Sequence, residues 1–251
     1  MVETKTVGSR VFKVVNYIIL TILAISCLYP LWYELCVSLS DKLAADSGAV
    51  TLWPIGVNFA SYELIMGDGT FWNSFMISVG RVVHGTIWTM VVIIMMAYPL
   101  SKTSHEYKPR TILMWVLVFC MLFNGGTIPW YITMQKYNLI DNFAALIFAG
   151  SVPVFNVLLL MNFFRNLPAD IEEAALVDGA GPWRILWTIV VPCSVPVIAT
   201  VVLFTSVGYW NEYFQGLVLM NTEDKYPLQT YIREITVQIP PGVTLTTEQY
   251  Q

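Results

Sequence analysis

Charge is what this sequence has least of. Only 12% of its 251 residues are Asp, Glu, Lys or Arg, against 56% hydrophobic residues and a mean hydropathy of +0.62. That balance excludes an ordinary soluble domain of this length and points to a membrane protein. Histidine is confined to His84 and His105, and neither H-E-x-x-H nor G-x-S-x-G occurs, so the usual zinc-hydrolase and serine-hydrolase arrangements are missing and an intrinsic enzyme is not expected. The dipeptide Gly-Lys never occurs, which excludes ATP binding through a P-loop in this chain. Cys27, Cys36, Cys120 and Cys193 lie in apolar runs with no C-x-x-C pair, so neither a disulfide framework nor a zinc site is indicated, and buried thiols are expected. The 13 basic residues are spread along a chain of net charge -4, leaving no electrostatic footprint for nucleic acid.

Long apolar runs are abundant. A hydrocarbon core of about 30 Å takes about 20 apolar residues as a helix, and five stretches of that order contain no Asp, Glu, Lys or Arg: Val14 to Tyr33, Val82 to Ser101, Thr111 to Gln135, Asn142 to Phe164 and Ile185 to Asn211. The third and fifth exceed the need and must tilt or emerge. The expectation is an all-α integral membrane protein, a polytopic helical bundle with five visible spans. The first run continues apolar beyond Cys27, which favours a span over a cleaved signal peptide.

Basic residues set the orientation. Lys5, Arg10 and Lys13 precede the first run, Lys102, Lys108 and Arg110 join the second to the third, and Arg165 and Arg184 flank the loop after the fourth. The positive-inside rule puts these segments in the cytoplasm. The expected organisation is a cytoplasmic N-terminus at 1–13, a membrane domain at 14–211 with a cytoplasmic loop at 165–184, and an extracytoplasmic segment at 212–251.

Within that loop, LPADIEEAALVDGAG interrupts an apolar chain with four carboxylates. Pro168 suits the start of a helix, Asp170, Glu172 and Glu173 complement its positive end, and Gly179 suits the left-handed residue that ends it. Leu167, Ile171, Ala174, Ala175 and Asp178 recur at spacings of three and four, so small and apolar residues are expected on one partner-facing side, bordered by Glu172 and Glu173.

Glu173, Ala174, Ala175, Asp178, Gly179 and Ala180, followed by Leu186 and Pro192, resemble the EAA loop of ABC-importer permeases. NSFMISVG from Asn73, AYPLSK from Ala97, LIDN from Leu139 and FFRNLPADIEEAALVDGA from Phe163 are similar, in order, to the maltose-type carbohydrate permeases. FNGGTIPWY from Phe123 resembles the branch associated with oligosaccharides of complex polysaccharides. The resemblance implies that the acidic helix is a coupling helix, with Glu172, Glu173, Ala174, Ala175, Asp178, Gly179 and Ala180 docking on a cytoplasmic ATPase. It implies a second homologous permease, an ABC ATPase dimer carrying ATP and Mg, an extracytoplasmic solute-binding protein reached by the loop from Met220, and a sugar moved across the cytoplasmic membrane of a prokaryote. It also implies a sixth span absent from this chain, and the expectation is an incomplete sequence. A permease for a peptide or another small polar solute, or a non-conducting regulatory subunit, are the alternatives.

Polar residues inside the runs are candidates for the solute path. Asn156 must find partners in hydrocarbon, either a sugar or another helix. Tyr209, Trp210 and Asn211, beside Glu212, suit sugar rings and hydroxyls, or an interfacial aromatic belt. Arg81 lies 21 residues before Lys102, and is expected to reach the outer interface, with Glu34 as a possible partner. Pro192 and Pro196 should bend the fifth span.

Overall fold

The structure is a computed structural model that describes residues 7–150 and 152–238. Among these residues all regular structure is helical, as expected where every backbone polar group must be satisfied within its own segment. The chain divides after Gly69 into two compact units.

The first unit is built on α1 (Val7–Ser38), whose 32 residues reach about 48 Å at 1.5 Å per residue. A short helix α2 (Lys42–Asp46) and a two-turn helix α3 (Ala60–Gly67) follow. The chain after α1 folds back on its end: Ser40 Oγ donates to the Cys36 carbonyl at 2.6 Å and accepts from the Ile55 N–H at 3.0 Å, while the Trp32 indole donates to the Leu52 carbonyl at 2.8 Å.

The second unit begins within the first turn of α4 (Gly69–Ser101), a single helix of 33 residues with Pro99 in its last turn. Gly8–Ser38 and Gly69–Ser101 are each long and apolar enough to cross a membrane. The three later runs, expected as continuous spans, are broken. The third splits into α5 (Arg110–Leu122) and α6 (Thr127–Lys136), bent by 115°. Asn124, Gly125 and Gly126 form the break, with Gly126 at φ 87°, a conformation open to glycine. The fourth splits into α7 (Phe143–Phe148), capped by the Asn142 side chain on the Ala144 N–H, and α8 (Val154–Arg165), because Pro153 cannot continue the first ladder.

The loop after α8 holds α9 (Ala169–Val177). The fifth run then passes through α10 (Pro182–Ile185), a π-helical turn at Leu186–Val190 and α11 (Val191–Cys193) before bending 84° into α12 (Val195–Asn211). Pro192 and Pro196 remove two backbone donors on either side of Ser194, so the bend falls there. Beyond Glu212 come α13 (Phe214–Leu219), a 3-10 turn at Glu223–Lys225 and α14 (Leu228–Gln238). The remainder of the expected 212–251 segment, and residues 1–6, lie outside the described residues.

The main core of this unit is centred on α4 and α8. Met90, Ile93, Ile94, Ala97 and Leu100 of α4 meet Val157, Leu160, Met161 and Phe164 of α8, with Val190 and Val201 closing the third side. Both sets follow the 3.6-residue period, so each helix commits one stripe to its neighbours. The opposite faces are apolar too: Ile112, Trp115, Phe119 and Leu122 of α5 are exposed, as in a helix that faces lipid. Cys120 and Cys193 are exposed, as is Cys27 of α1, and only Cys36 is buried. The expectation of four buried thiols thus fails, because in a membrane protein an apolar run does not have to face inward.

Candidate functional site

α4 and α12 meet along a polar seam. Thr86 Oγ1 lies 3.1 Å from Ser206 Oγ, and Thr89 Oγ1 lies 2.9 Å from the Tyr209 hydroxyl. The helices can approach because Gly85 carries no side chain: a Cβ there would sit 2.6 Å from the Tyr209 ring. Tyr209 also donates to the Ile147 carbonyl at 3.0 Å, and Asn156 Nδ2 of α8 donates to Thr205 Oγ1 at 3.2 Å. Beside this seam opens a cavity of about 190 Å³, lined by Arg81, Thr89, Asn156, Thr205, Tyr209 and Glu212 among others.

Arg81 closes one end of the seam. It is 1% exposed, so its guanidinium is enclosed by protein, and its partner Glu212 is the residue at which the expected outer segment begins. Its Nε donates to the Leu146 carbonyl at 3.0 Å, Nη1 to the Glu212 carbonyl at 2.8 Å, and Nη2 to Glu212 Oε2 at 2.7 Å and Gln215 Oε1 at 2.5 Å. The ion-pair partner is Glu212, where Glu34 was the expected candidate. The Glu212 carboxylate in turn accepts from the Gln215 N–H at 3.0 Å. One guanidinium thereby fastens α4, the second turn of α7 and the break between α12 and α13, a planar fork being suited to several fixed acceptors.

The sequence candidates divide here. Asn156 and Tyr209 face the same cavity; Asn156 satisfies an interhelical bond and lines a polar space at once. Trp210 packs edge-on against Phe75 at 6.0 Å, in series with Trp72, and Asn211 is exposed, so neither joins that cavity. Sequence reasoning missed Gln215, Thr89 and Gly85. A spacing signal for the last two existed: Gly85, Thr86 and Thr89 put small and hydroxylated residues on one stripe, the pattern of close helix contact in lipid.

The second site is α9. Its C-terminal end is a Schellman motif: the Gly179 N–H bonds the Leu176 carbonyl at 3.0 Å, the Ala180 N–H bonds the Ala175 carbonyl at 2.9 Å, and Gly179 takes φ 76°. Pro168 occupies the N-cap, one residue earlier than the first turn. The expected single face does not form. Ala175 is buried in the core of the bundle and Ala180 packs against it, whereas Glu173, Ala174 and Asp178 are exposed and Val177 is 87% exposed. Adjacent alanines are 100° apart on a helix, so Ala174 and Ala175 serve different sides. Glu172 turns inward to an ion pair with Lys102, the residue that follows α4, whose ammonium also lies 4.6 Å from the Tyr98 ring centroid.

Two connections between helices carry carboxyls with lowered pKa values. The Glu106 carboxyl is held below its usual range by the Thr103 N–H and hydroxyl, which fold the short α4–α5 connection. On the α6–α7 connection, Asp141 is lowered by Lys225 and by the Asn221 N–H. No group of three or more His, Cys, Asp or Glu that could hold a metal occurs among the described residues.

Residues 85–240 match the family described as binding-protein-dependent transport system inner membrane component. The chain is 34% identical to Protein LplC of Bacillus subtilis, over 92% of this chain and 78% of that one. It is likewise 34% identical to the polygalacturonan/rhamnogalacturonan transport system permease protein YtcP of the same organism, over 91% and 79%. The crystal structure of a bacterial ABC transporter involved in the import of the acidic polysaccharide alginate contains a chain that superposes with a TM-score of 0.88 at 32% identity, covering 99% of this chain and 87% of that one. These matches take in both the polar seam and the α9 loop, and the chain belongs to the family of binding-protein-dependent transport system inner membrane components, as a transmembrane permease subunit.

Proposed function

We propose that this permease, paired with a second homologous permease and an ABC ATPase dimer that binds ATP and Mg, moves an oligosaccharide delivered by an extracytoplasmic binding protein. The N-terminus at 1–13 and the loop at 165–184 face the cytoplasm, residues 14–211 form the membrane domain, and 212–251 lie outside. ATP hydrolysis takes place in the separate ATPase. The observation that carries this reading is α9: a rigidly capped helix that presents Glu173, Ala174 and Val177 outward while Ala175 is fixed in the core. A partner groove would receive Glu173, Ala174, Val177, Asp178 and Gly179. Glu172, Ala175 and Ala180 hold the helix to its own bundle.

The carbohydrate assignment draws on relatives whose own substrates are polysaccharide-derived or sugar-containing. The cavity chemistry agrees with it. Asn156, Thr89, Thr205 and Tyr209 offer amide and hydroxyl groups, and the charge of Arg81 is balanced by Glu212. At about 190 Å³ the space is smaller than the ~300 to 1,000 Å³ of complete ligand pockets, consistent with one wall of a path that the second permease completes. Trp210 and Asn211 would flank its mouth.

The test is site-specific photo-crosslinking in native membranes. A crosslinker at Ala174 is expected to capture an ABC ATPase, and one at Ala175 to capture only this chain's own helices. Capture of lipid alone at Ala174, or equal ATPase capture at both positions, would overturn the reading.

A further inference from the structure

Two routes lead from α9 into the membrane domain. The covalent route runs through Gly179 and Gly181, the π-helical turn at Leu186–Val190 and the 84° bend at Ser194 before reaching α12. Each of these is a place where dihedral change can be absorbed. The second route is not covalent. Glu172, in the first turn of α9, pairs with Lys102 at the end of α4. Their side chains are 23% and 21% exposed, and Tyr98 covers the ammonium. Both charges complement their helices, a carboxylate at the positive end of α9 and an ammonium at the negative end of α4.

From Lys102 onward this route is straight. α4 is one helix over Gly69–Ser101, and the 21 residues from Arg81 to Lys102 span about 32 Å. That single rod carries the Lys102 contact at one end and Thr89, Thr86 and Arg81 of the polar seam further along. A hinge dissipates displacement and a rod conveys it. Beside the pair opens a cavity of about 580 Å³, bordered by Tyr98, Lys102, Glu172 and Trp183, so on this side of α9 the ion pair in place of close packing joins it to the end of α4, while Ala175 holds its other side in the core.

We propose that the Lys102–Glu172 pair is the transmission contact through which movement of α9 displaces α4 and opens the polar seam, making Lys102 a positioning residue for transport. The proposal rests on α9 being the coupling helix. It assigns Glu172 to the permease's own mechanics in place of the ATPase surface.

The test uses the assembled importer in nanodiscs, with the four native cysteines replaced by alanine and a reporter thiol introduced by Gly208→Cys. Gly208 lines the seam cavity, and a Cβ there has open space. The probe is a membrane-impermeant maleimide, applied without nucleotide and after ATP-vanadate trapping. In the parent, trapping is expected to change the labelling rate by about fivefold or more, the lower range of coupling between linked sites. In K102M and in E172Q the change should disappear while ATP hydrolysis and assembly persist, and K102E/E172K should restore it. Parent-like switching in both single variants, or no restoration by the exchange, would overturn the transmission role alone. A parent that does not switch would overturn it together with the coupling-helix reading.

Discussion

Arg81→Met is the most informative perturbation of the seam. Met keeps much of the side-chain volume while deleting the charge and every donor, leaving the Glu212 carboxylate, the Gln215 amide oxygen and the carbonyls of Leu146 and Glu212 without their partner. Removing one member of a buried pair costs about 3 to 5 kcal/mol. Glu212 is 27% exposed and regains some solvation, which places the expected loss near 3 kcal/mol, the lower end of that range. E212Q keeps an acceptor for Nη2 but strands the charge of Arg81, and should cost a similar amount. The double variant R81M/E212Q strands no charge, and should recover about 1 to 2 kcal/mol relative to the sum of the singles. The assay is thermal and denaturant unfolding in nanodiscs, followed by tryptophan fluorescence, with all four corners of the cycle measured. Additive single effects, or an R81M loss under about 0.5 kcal/mol, would refute the argument that this pair fastens three elements.

Gly85→Ala should cost about 1 to 3 kcal/mol, since its Cβ would lie 2.6 Å from the Tyr209 ring; Tyr209→Ala in the same chain should remove most of that penalty in the unfolding assay. Cysteines at Thr86 and Ser206, whose hydroxyl oxygens lie 3.1 Å apart, should form a disulfide that blocks uptake until reduced, and parent-rate uptake by the oxidised form would count against seam opening. Gly179→Ala places a Cβ at φ 76° and should lower the ATPase crosslink from Ala174, with Gly179→Asn tolerated better. Asp141 has a folded pKa below its unfolded one because of Lys225 and the Asn221 N–H, so the stabilisation it gives is complete above about pH 5, about one unit over the ordinary carboxyl value, and is lost as pH falls through the depressed value. Hydrogen exchange at the Asn221 amide should therefore stay protected from pH 7 to about pH 5, and Asp141→Asn should remove the acid-dependent loosening below that range.

Features fixed by local chemistry were legible in the sequence. Pro168 and Gly179 bracket α9 because a missing N–H and a left-handed residue act within one turn; the C-terminal end falls where Gly179 predicts, and the N-terminal end one residue after Pro168. The direction in which α9 faces was not legible, because Ala174 and Ala175 have the same hydropathy and only packing separates them. Five charge-free runs gave the helical class. A search for charge is blind to Asn124, Gly125, Gly126 and Pro153, which cut the third and fourth runs. Pro192 and Pro196 predict a bend in the fifth, and the bend is there. Arg81 was visible as an expensive residue, but its partner lies 131 positions away, and no periodicity links α4 to the end of α12.

The seam's energetics suggest how it can be both closed and movable. Thr86 with Ser206, Thr89 with Tyr209 and Asn156 with Thr205 are neutral pairs, and interhelical bonds of this kind in membrane proteins contribute about 0.6 kcal/mol each. Three of them can be exchanged for sugar hydroxyls or water at little cost. The Arg81 end cannot open so cheaply, since separation would strand a charge that the neutral pairs do not have. On the proposed transmission route, opening begins away from Arg81, at the end of α4 that carries Lys102, with the Arg81–Glu212 pair as the pivot. The end of α4 that moves is then the end tied to α9.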